Sequence, residues 1–272
     1  MRAMARARSV TPIHQAGAHV FYRRAMRTLQ KAGVPFLVGG AYAFERCTGI
    51  ARASKDLDVF VRPSDCRGAL DVLARAGYRT ELTFPVWLGK AFSGRDYIDV
   101  IFSSGNGVAE VDDGWFAHAI PGRVLGLPVE LCPIEETIWS KAYVMERERY
   151  DGADVAHLLR GCGETIDWPR LLARFGAHWR VLLSHLVLYG FVYPGEQSRV
   201  PAWVFVELIR RLRSEVEALP SGERLCQGPV LSAAQYLVDI EQWGYEDARL
   251  RPRGRFTRED VAHSREALGP KV

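Results

Sequence analysis

The stretch LVGGAYAFERCTGIARASKDLDVFV, Leu37 to Val61, decides how this chain is read. It opens as a buried strand, breaks on Gly39 and Gly40, and returns as an apolar run that carries Asp56 and Asp58. Residues two apart in a strand share a face, so the two aspartates project together while Leu57 and Val59 enter the core. Adjacent carboxylates repel, and holding them together costs energy unless a cation sits between them.

A hard divalent ion meets that need. Mg²⁺ takes one or two carboxylates and completes its shell with water and substrate phosphates. A third carboxylate on a neighbouring strand would complete such a site, and DYIDVIF offers Asp99 inside another apolar run. The glycines stand where a strand meets a helix read over Ala41 to Cys47. There the backbone N–H groups can approach a phosphate, and the helix N-terminus favours negative charge. A glycine pair beside paired aspartates suits a metal-bound triphosphate.

Working outward, apolar residues recur at helical spacing from His14 to Ala32, and Gly33 ends that helix. Pro63 stops the aspartate strand, and Ser64 is read as the cap of a helix reaching about Ala76. YRTELTF, VWLGKAF, DYIDVIF and LPVELC read as strands, which gives an α/β core with a mixed sheet. Beyond Pro133 the pattern turns helical. IEETIWSKAYVMERERYDGADVAHLLR reads as one helical run, followed by helices over Trp168–Phe175, Trp179–Tyr189 and Ala202–Leu219. The expected organisation is a catalytic α/β domain over 1–133, a helical domain over 134–220, and a C-terminal segment over 221–272, partly helical with a loosely ordered end.

The chain has 272 residues, 48% of them hydrophobic and 25% charged, which suits a soluble globular protein with a sizeable core. A formal charge of +4 biases it weakly towards anionic partners and does not make it a nucleic-acid binder. The five cysteines are scattered, with no zinc-type spacing and no disulfide framework in the sequence, so a reducing compartment is expected. MRAMARARSV is basic but lacks an apolar signal core, and VLLSHLVLYGFVY is too short to span a bilayer. A cytoplasmic protein without a membrane segment is the expectation. No P-loop, G-x-G-x-x-G, G-x-S-x-G or H-E-x-x-H motif competes, and His157 and His185 read as packing residues.

The combination LVGG, SKDLDVF and YIDVIF resembles the nucleotidyltransferase superfamily that shares its palm with DNA polymerase beta. By motif the resemblance covers roughly residues 34 to 103. It extends by pattern to about residue 160 through IWSKAYVMERERYDGADVAHLL, which is similar to the Lys…Arg…Asp-x-x-Asp segment of bacterial abortive-infection-type and aminoglycoside-type nucleotidyltransferases. Fifteen residues separate Gly40 from Asp56, slightly more than in the compact form of the pattern.

The resemblance implies a nucleotidyltransferase palm with a mixed β-sheet, followed by a helical domain. It implies two Mg²⁺ ions on Asp56, Asp58 and Asp99, with Asp99 activating an acceptor hydroxyl. The nucleotide, ATP or another nucleoside triphosphate, would be held by Gly39, Gly40, Ser54, Lys55, Lys141 and Asp154. The acceptor could be a small molecule, a protein side chain or an RNA end. Arg147, Arg149 and Asp151 read by default as a solvated, ion-paired helical face. Two other readings are a catalytically silent nucleotide-binding or interaction module, and the toxin of a toxin–antitoxin pair whose partner antitoxin masks the cleft.

Overall fold

A computed structural model describes residues 13–52, 54–219 and 222–268. In chain order its N-terminal half runs α1 (Ile13–Lys31), β1 (Leu37–Val38), α2 (Gly40–Thr48), β2 (Asp56–Phe60), α3 (Pro63–Arg75), β3 (Arg79–Phe84), β4 (Leu88–Ser93) and β5 (Asp96–Ile101). There follow α4 (Asp113–Ala117), β6 (Ile120–Val124) and β7 (Leu127–Leu131). Helices α5 (Ile134–Ala142), α6 (Gly152–Cys162), α7 (Trp168–Phe175), α8 (Trp179–Val192) and α9 (Ala202–Glu217) come next. The remainder holds β8 (Leu225–Cys226), α10 (Gly228–Leu231), α11 (Leu237–Glu241), β9 (Glu246–Asp247) and α12 (Arg258–Leu268). The basic stretch MRAMARARSV lies outside the described residues.

The seven-stranded sheet has the order β3-β4-β5-β2-β1-β7-β6. It is mixed: β2 runs parallel to β5 and β1 parallel to β7, while the remaining pairs are antiparallel. Strand β2 therefore sits centrally, with the two-residue β1 on one side and β5 on the other. Its alternation is the expected one, Leu57 and Val59 being fully buried. They join Ile98, Val100 and Ala91 against α1 and α3 through Phe21, Met26, Leu29, Leu70 and Leu73. Each such side chain contributes about 1.5–3 kcal/mol by leaving water. That packing fixes the register that turns Asp56 and Asp58 to the other face.

Four sequence expectations are corrected. Ser64 does not cap α3; Arg62 is the N-cap residue and Pro63 begins the helix, while Ser64 Oγ turns to Asp65. Strand β6 was missed because Pro121 and Gly122 lie within it. A proline is tolerated there because β6 is the sheet's edge. Leu125 and Gly126, both at positive φ, close its hairpin with β7.

The helical run from Ile134 is not continuous. Helix α5 ends at Ala142 with Tyr143 as its C-cap, and the chain doubles back with Met145 bridging Tyr150 and Asp151 N–H donating to the Val144 carbonyl, before α6 begins. Finally, Cys47 and Cys162 form a disulfide across 115 residues, joining the end of α2 to the end of α6. A side-chain carbon at Gly161 would lie 2.8 Å from the Cys47 carbonyl oxygen, so that glycine admits the close approach.

Candidate active site

The site is built on two neighbouring parallel strands. Asp58 of β2 stands directly opposite Asp99 of β5, and Asp56 lies one pleat before Asp58 on the same face. One carboxylate oxygen from each of Asp56, Asp58 and Asp99 falls within 4.8 Å of the others. The sheet thus brings together the three acids singled out in the sequence.

Burial, followed by the charges of Asp56 and Asp99, pushes the Asp58 carboxyl up to about 7, from the 3.8 of a free aspartate. Burial also raises Asp99, against the pull of Lys90. Burial and mutual repulsion thus both oppose ionisation of Asp58. Hard oxygen donors at this spacing fit a divalent ion such as Mg²⁺.

The glycine turn is shaped by the same carboxylates. Gly40 has φ +54°, and a side-chain carbon there would stand 1.7 Å from Asp58 Oδ2. One at Gly39 would stand 2.3 Å from the Phe60 ring. Gly39 N–H donates to the Asp58 carbonyl, tying the turn to β2. Gly39 is the N-cap residue of α2, and no side chain caps that terminus. That terminus begins beside Asp58, against which Gly40 is packed.

The other predicted residues divide. Ser54 Oγ donates to Asp56 Oδ1 at 2.9 Å and orients that carboxylate. Lys55 is exposed, and its carbonyl accepts from the Tyr22 hydroxyl. Lys141 Nζ donates to Asp154 Oδ2 at 2.7 Å and to Asp151 Oδ2 at 3.0 Å. Asp154 is buried and also pairs with Arg52 at 2.5 Å, whose guanidinium stacks over Phe44. Asp154 therefore holds two cations in place.

The default reading of a solvated, ion-paired face holds for Arg149, which is exposed and paired, and fails for Asp151. Asp151 is buried in the turn between α5 and α6 and accepts two hydrogen bonds from Arg149, each 3.0 Å long. Burial alone would raise the Asp151 carboxyl, but Arg149 and Lys141 hold it below the usual range. The charges of Lys141 and Arg149 both reach Asp58 and favour its ionised form. His185 behaves as expected, buried and bonded at 2.8 Å to the Ala142 carbonyl.

Sequence reasoning missed Arg52, Lys90 and Tyr97. Lys90 of β4 pairs with Asp99 at 2.6 Å. The Tyr97 hydroxyl lies 3.4 Å from Asp56 Oδ2. No local pattern announces the lysine, which is set opposite Asp99 by the register of the antiparallel β4–β5 ladder.

No protein-family model matches the sequence, and no curated protein does. Solved structures similar to the chain include the antibiotic-resistance factor ANT(2'')-Ia in complex with adenylyl-2''-tobramycin. It is 16% identical, has a TM-score of 0.45, and matches over 60% of this chain and 99% of that one. The lincomycin-bound lincosamide antibiotic adenylyltransferase LnuA is 14% identical with a TM-score of 0.37, over 52% and 94% of the two chains. The Megavirus polyadenylate synthase is 12% identical with a TM-score of 0.36, over 59% and 40%. At such identities and TM-scores the likeness is one of outline, and the chemistry is read from this chain's own side chains.

Proposed function

We propose that the chain is a nucleotidyltransferase, moving a nucleoside monophosphate from a nucleoside triphosphate to an acceptor hydroxyl with release of pyrophosphate. The observation that carries this reading is the convergence of Asp56, Asp58 and Asp99, ligand atoms within 4.8 Å, beside the glycine-opened N-terminus of α2. The charges of Lys141 and Arg149, from the second half of the chain, reach Asp58 and favour its ionised form.

Asp56 and Asp58 would hold Mg²⁺ together with the nucleotide. When bound, that ion neutralises phosphate charge and polarises the phosphoryl oxygens. The α2 N-terminus, Lys141 and Arg149 bind and orient the triphosphate. The acceptor oxygen attacks the α-phosphorus, the bond from that phosphorus to the bridging oxygen breaks, and pyrophosphate departs. Asp99 takes the hydroxyl proton as the new bond forms. Ser54 and Tyr97 orient Asp56 for its share of the work.

A silent binding module has no use for the third acid, so Asp99 in the cluster favours the enzyme reading. We assign catalysis to residues 1–133 and cleft closure to the helices of 134–220, with 221–272 as an appended segment. No helix among the described residues is long and apolar enough to cross a membrane. We place the activity in the cytoplasm on the supply of nucleoside triphosphates there, the Cys47–Cys162 disulfide having removed the cysteine argument for it.

The test is incubation of pure protein with each of four α-labelled nucleoside triphosphates, Mg²⁺, and small-molecule, protein and RNA acceptors. Label should move to one acceptor class with pyrophosphate release, and Asp58→Asn should abolish it. Equal transfer by wild type and Asp58→Asn would overturn the reading.

A further inference from the structure

Asp99, the acid assigned above to the acceptor hydroxyl, already carries a cation. Lys90 stands opposite Asp99 in the antiparallel β4–β5 ladder, and its Nζ lies 2.6 Å from Asp99 Oδ1. The same ammonium sits 4.2 Å from the centroid of the Tyr97 ring. Both partners are largely shielded, with 20% and 15% of their side chains exposed. Lys90 is thus held three ways: by strand register, by a carboxylate, and by an aromatic face.

We propose that Lys90 takes the place of a second divalent ion, so that this chain works with one ion, held by Asp56, Asp58 and the nucleotide. The inference rests on the nucleotidyl-transfer reading and changes its ion count from the two that the sequence resemblance implies. An ammonium and a divalent ion sharing Asp99 would repel at close range inside a shielded site. The ladder and the Tyr97 ring oppose retreat of the lysine.

An ammonium also offers what the acceptor needs. It has three donors. One is spent on Asp99 Oδ1, and another can reach the acceptor oxygen, orient it, and stabilise negative charge as it develops. The hydroxyl proton passes to Asp99, and the phosphorus–oxygen bond forms as pyrophosphate leaves. No further reactant is needed.

The test counts Mn²⁺ bound to the full chain at saturation with the α,β-methylene analogues of the four nucleoside triphosphates. Electron paramagnetic resonance reads whether bound ions are spin-coupled. The expected wild-type result is one uncoupled Mn²⁺. Lys90→Gln and Lys90→Met, the second keeping the stem over Tyr97, should each admit a second, coupled ion.

In single turnover both variants should lose transfer by about 10²–10³-fold, the loss typical of removing one stabilising donor. They should regain part of it as Mg²⁺ is raised, which a purely structural lysine would not produce. Two coupled ions in wild type would overturn the inference and leave nucleotidyl transfer standing. One ion in wild type and in both folded variants would also overturn it. No bound ion in wild type with any analogue would overturn the transfer reading itself.

Discussion

Gly40 and Asp58 are packed so closely that a methyl group on the glycine would overlap the carboxylate, the gap being 1.7 Å to Oδ2. The turn glycine and the acid are one unit: the turn leaves the room in which the carboxylate lies. Gly40→Ala adds two penalties. A residue other than glycine at φ +54° costs about 1–2 kcal/mol, and Asp58 must move. The expected outcome is a folded protein whose transfer rate drops by about 10²-fold, the effect of misplacing a reacting group by an ångström. Circular dichroism beside the label-transfer assay checks it; unchanged transfer would show that the cluster tolerates displacement.

Asp58 also makes a pH prediction for metal-free protein. Its folded-state pKa is raised by burial first and by Asp56 and Asp99 next, to about 7, against 3.8 when free. A raised folded value contributes stability that is fully present below the free value and lost as pH rises through about 7. In chelator, wild-type stability should therefore fall between about pH 4 and pH 8, by up to about 4 kcal/mol. Asp58→Asn should flatten that slope and be the more stable protein at the alkaline end, although it is inactive. Denaturant titrations of both across pH decide the point, and parallel curves would refute it.

Much of this was legible because local pattern carries it. The alternation around Leu57 and Val59 fixed the face on which Asp56 and Asp58 lie, and helix periodicity located Trp168–Phe175 to the residue. What escaped depends on partners distant in sequence. Asp151 looks like part of a solvated run because nothing nearby announces the half-buried Lys141 as its partner. Cys47 and Cys162 show no spacing signal, since α2 meets α6 only in the folded chain. Lys90 was hidden by register, which propensity does not specify.

A buried ion-pair cluster joins α5 to α7 and α4. Arg170 pairs with Glu135 at 2.7 Å and with Glu136, and Arg174 joins Glu136 at 2.7 Å to Asp112 at 2.5 Å. Glu136 is fully buried, so burial raises its carboxyl while Arg170 and Arg174 pull it down. Arg170→Ala would strand a buried charge and should cost about 3–5 kcal/mol. By contrast Arg210→Ala, which removes an exposed i,i+3 pair with Glu207, should scarcely move the unfolding midpoint. Urea titrations compare the two; equal effects would mean that the buried cluster is not a fastening point.

Asp154 tests whether the cations opposite the carboxylates are held for the nucleotide. Its two oxygens are divided, Oδ1 to Arg52 at 2.5 Å and Oδ2 to Lys141 at 2.7 Å. Asp151 alone would still restrain Lys141, at 3.0 Å. Asp154→Asn keeps the shape but removes the charge that fixes both cations, so Lys141 should wander from the position in which its charge reaches Asp58. Lys141→Met removes the charge itself. Hydrogen bonds to charged groups are worth about 1.5–3 kcal/mol, so Lys141→Met should weaken binding of a non-hydrolysable triphosphate by about 10–100-fold. Asp154→Asn should weaken it less, by about tenfold, because one carboxylate still steadies the lysine. The loss should appear mainly in nucleotide affinity, with the single-turnover rate at saturating nucleotide reduced far less. Wild-type affinity in Asp154→Asn beside weak binding in Lys141→Met would mean that Lys141 needs no positioning by Asp154. Wild-type affinity in both would remove Lys141 from the nucleotide site altogether.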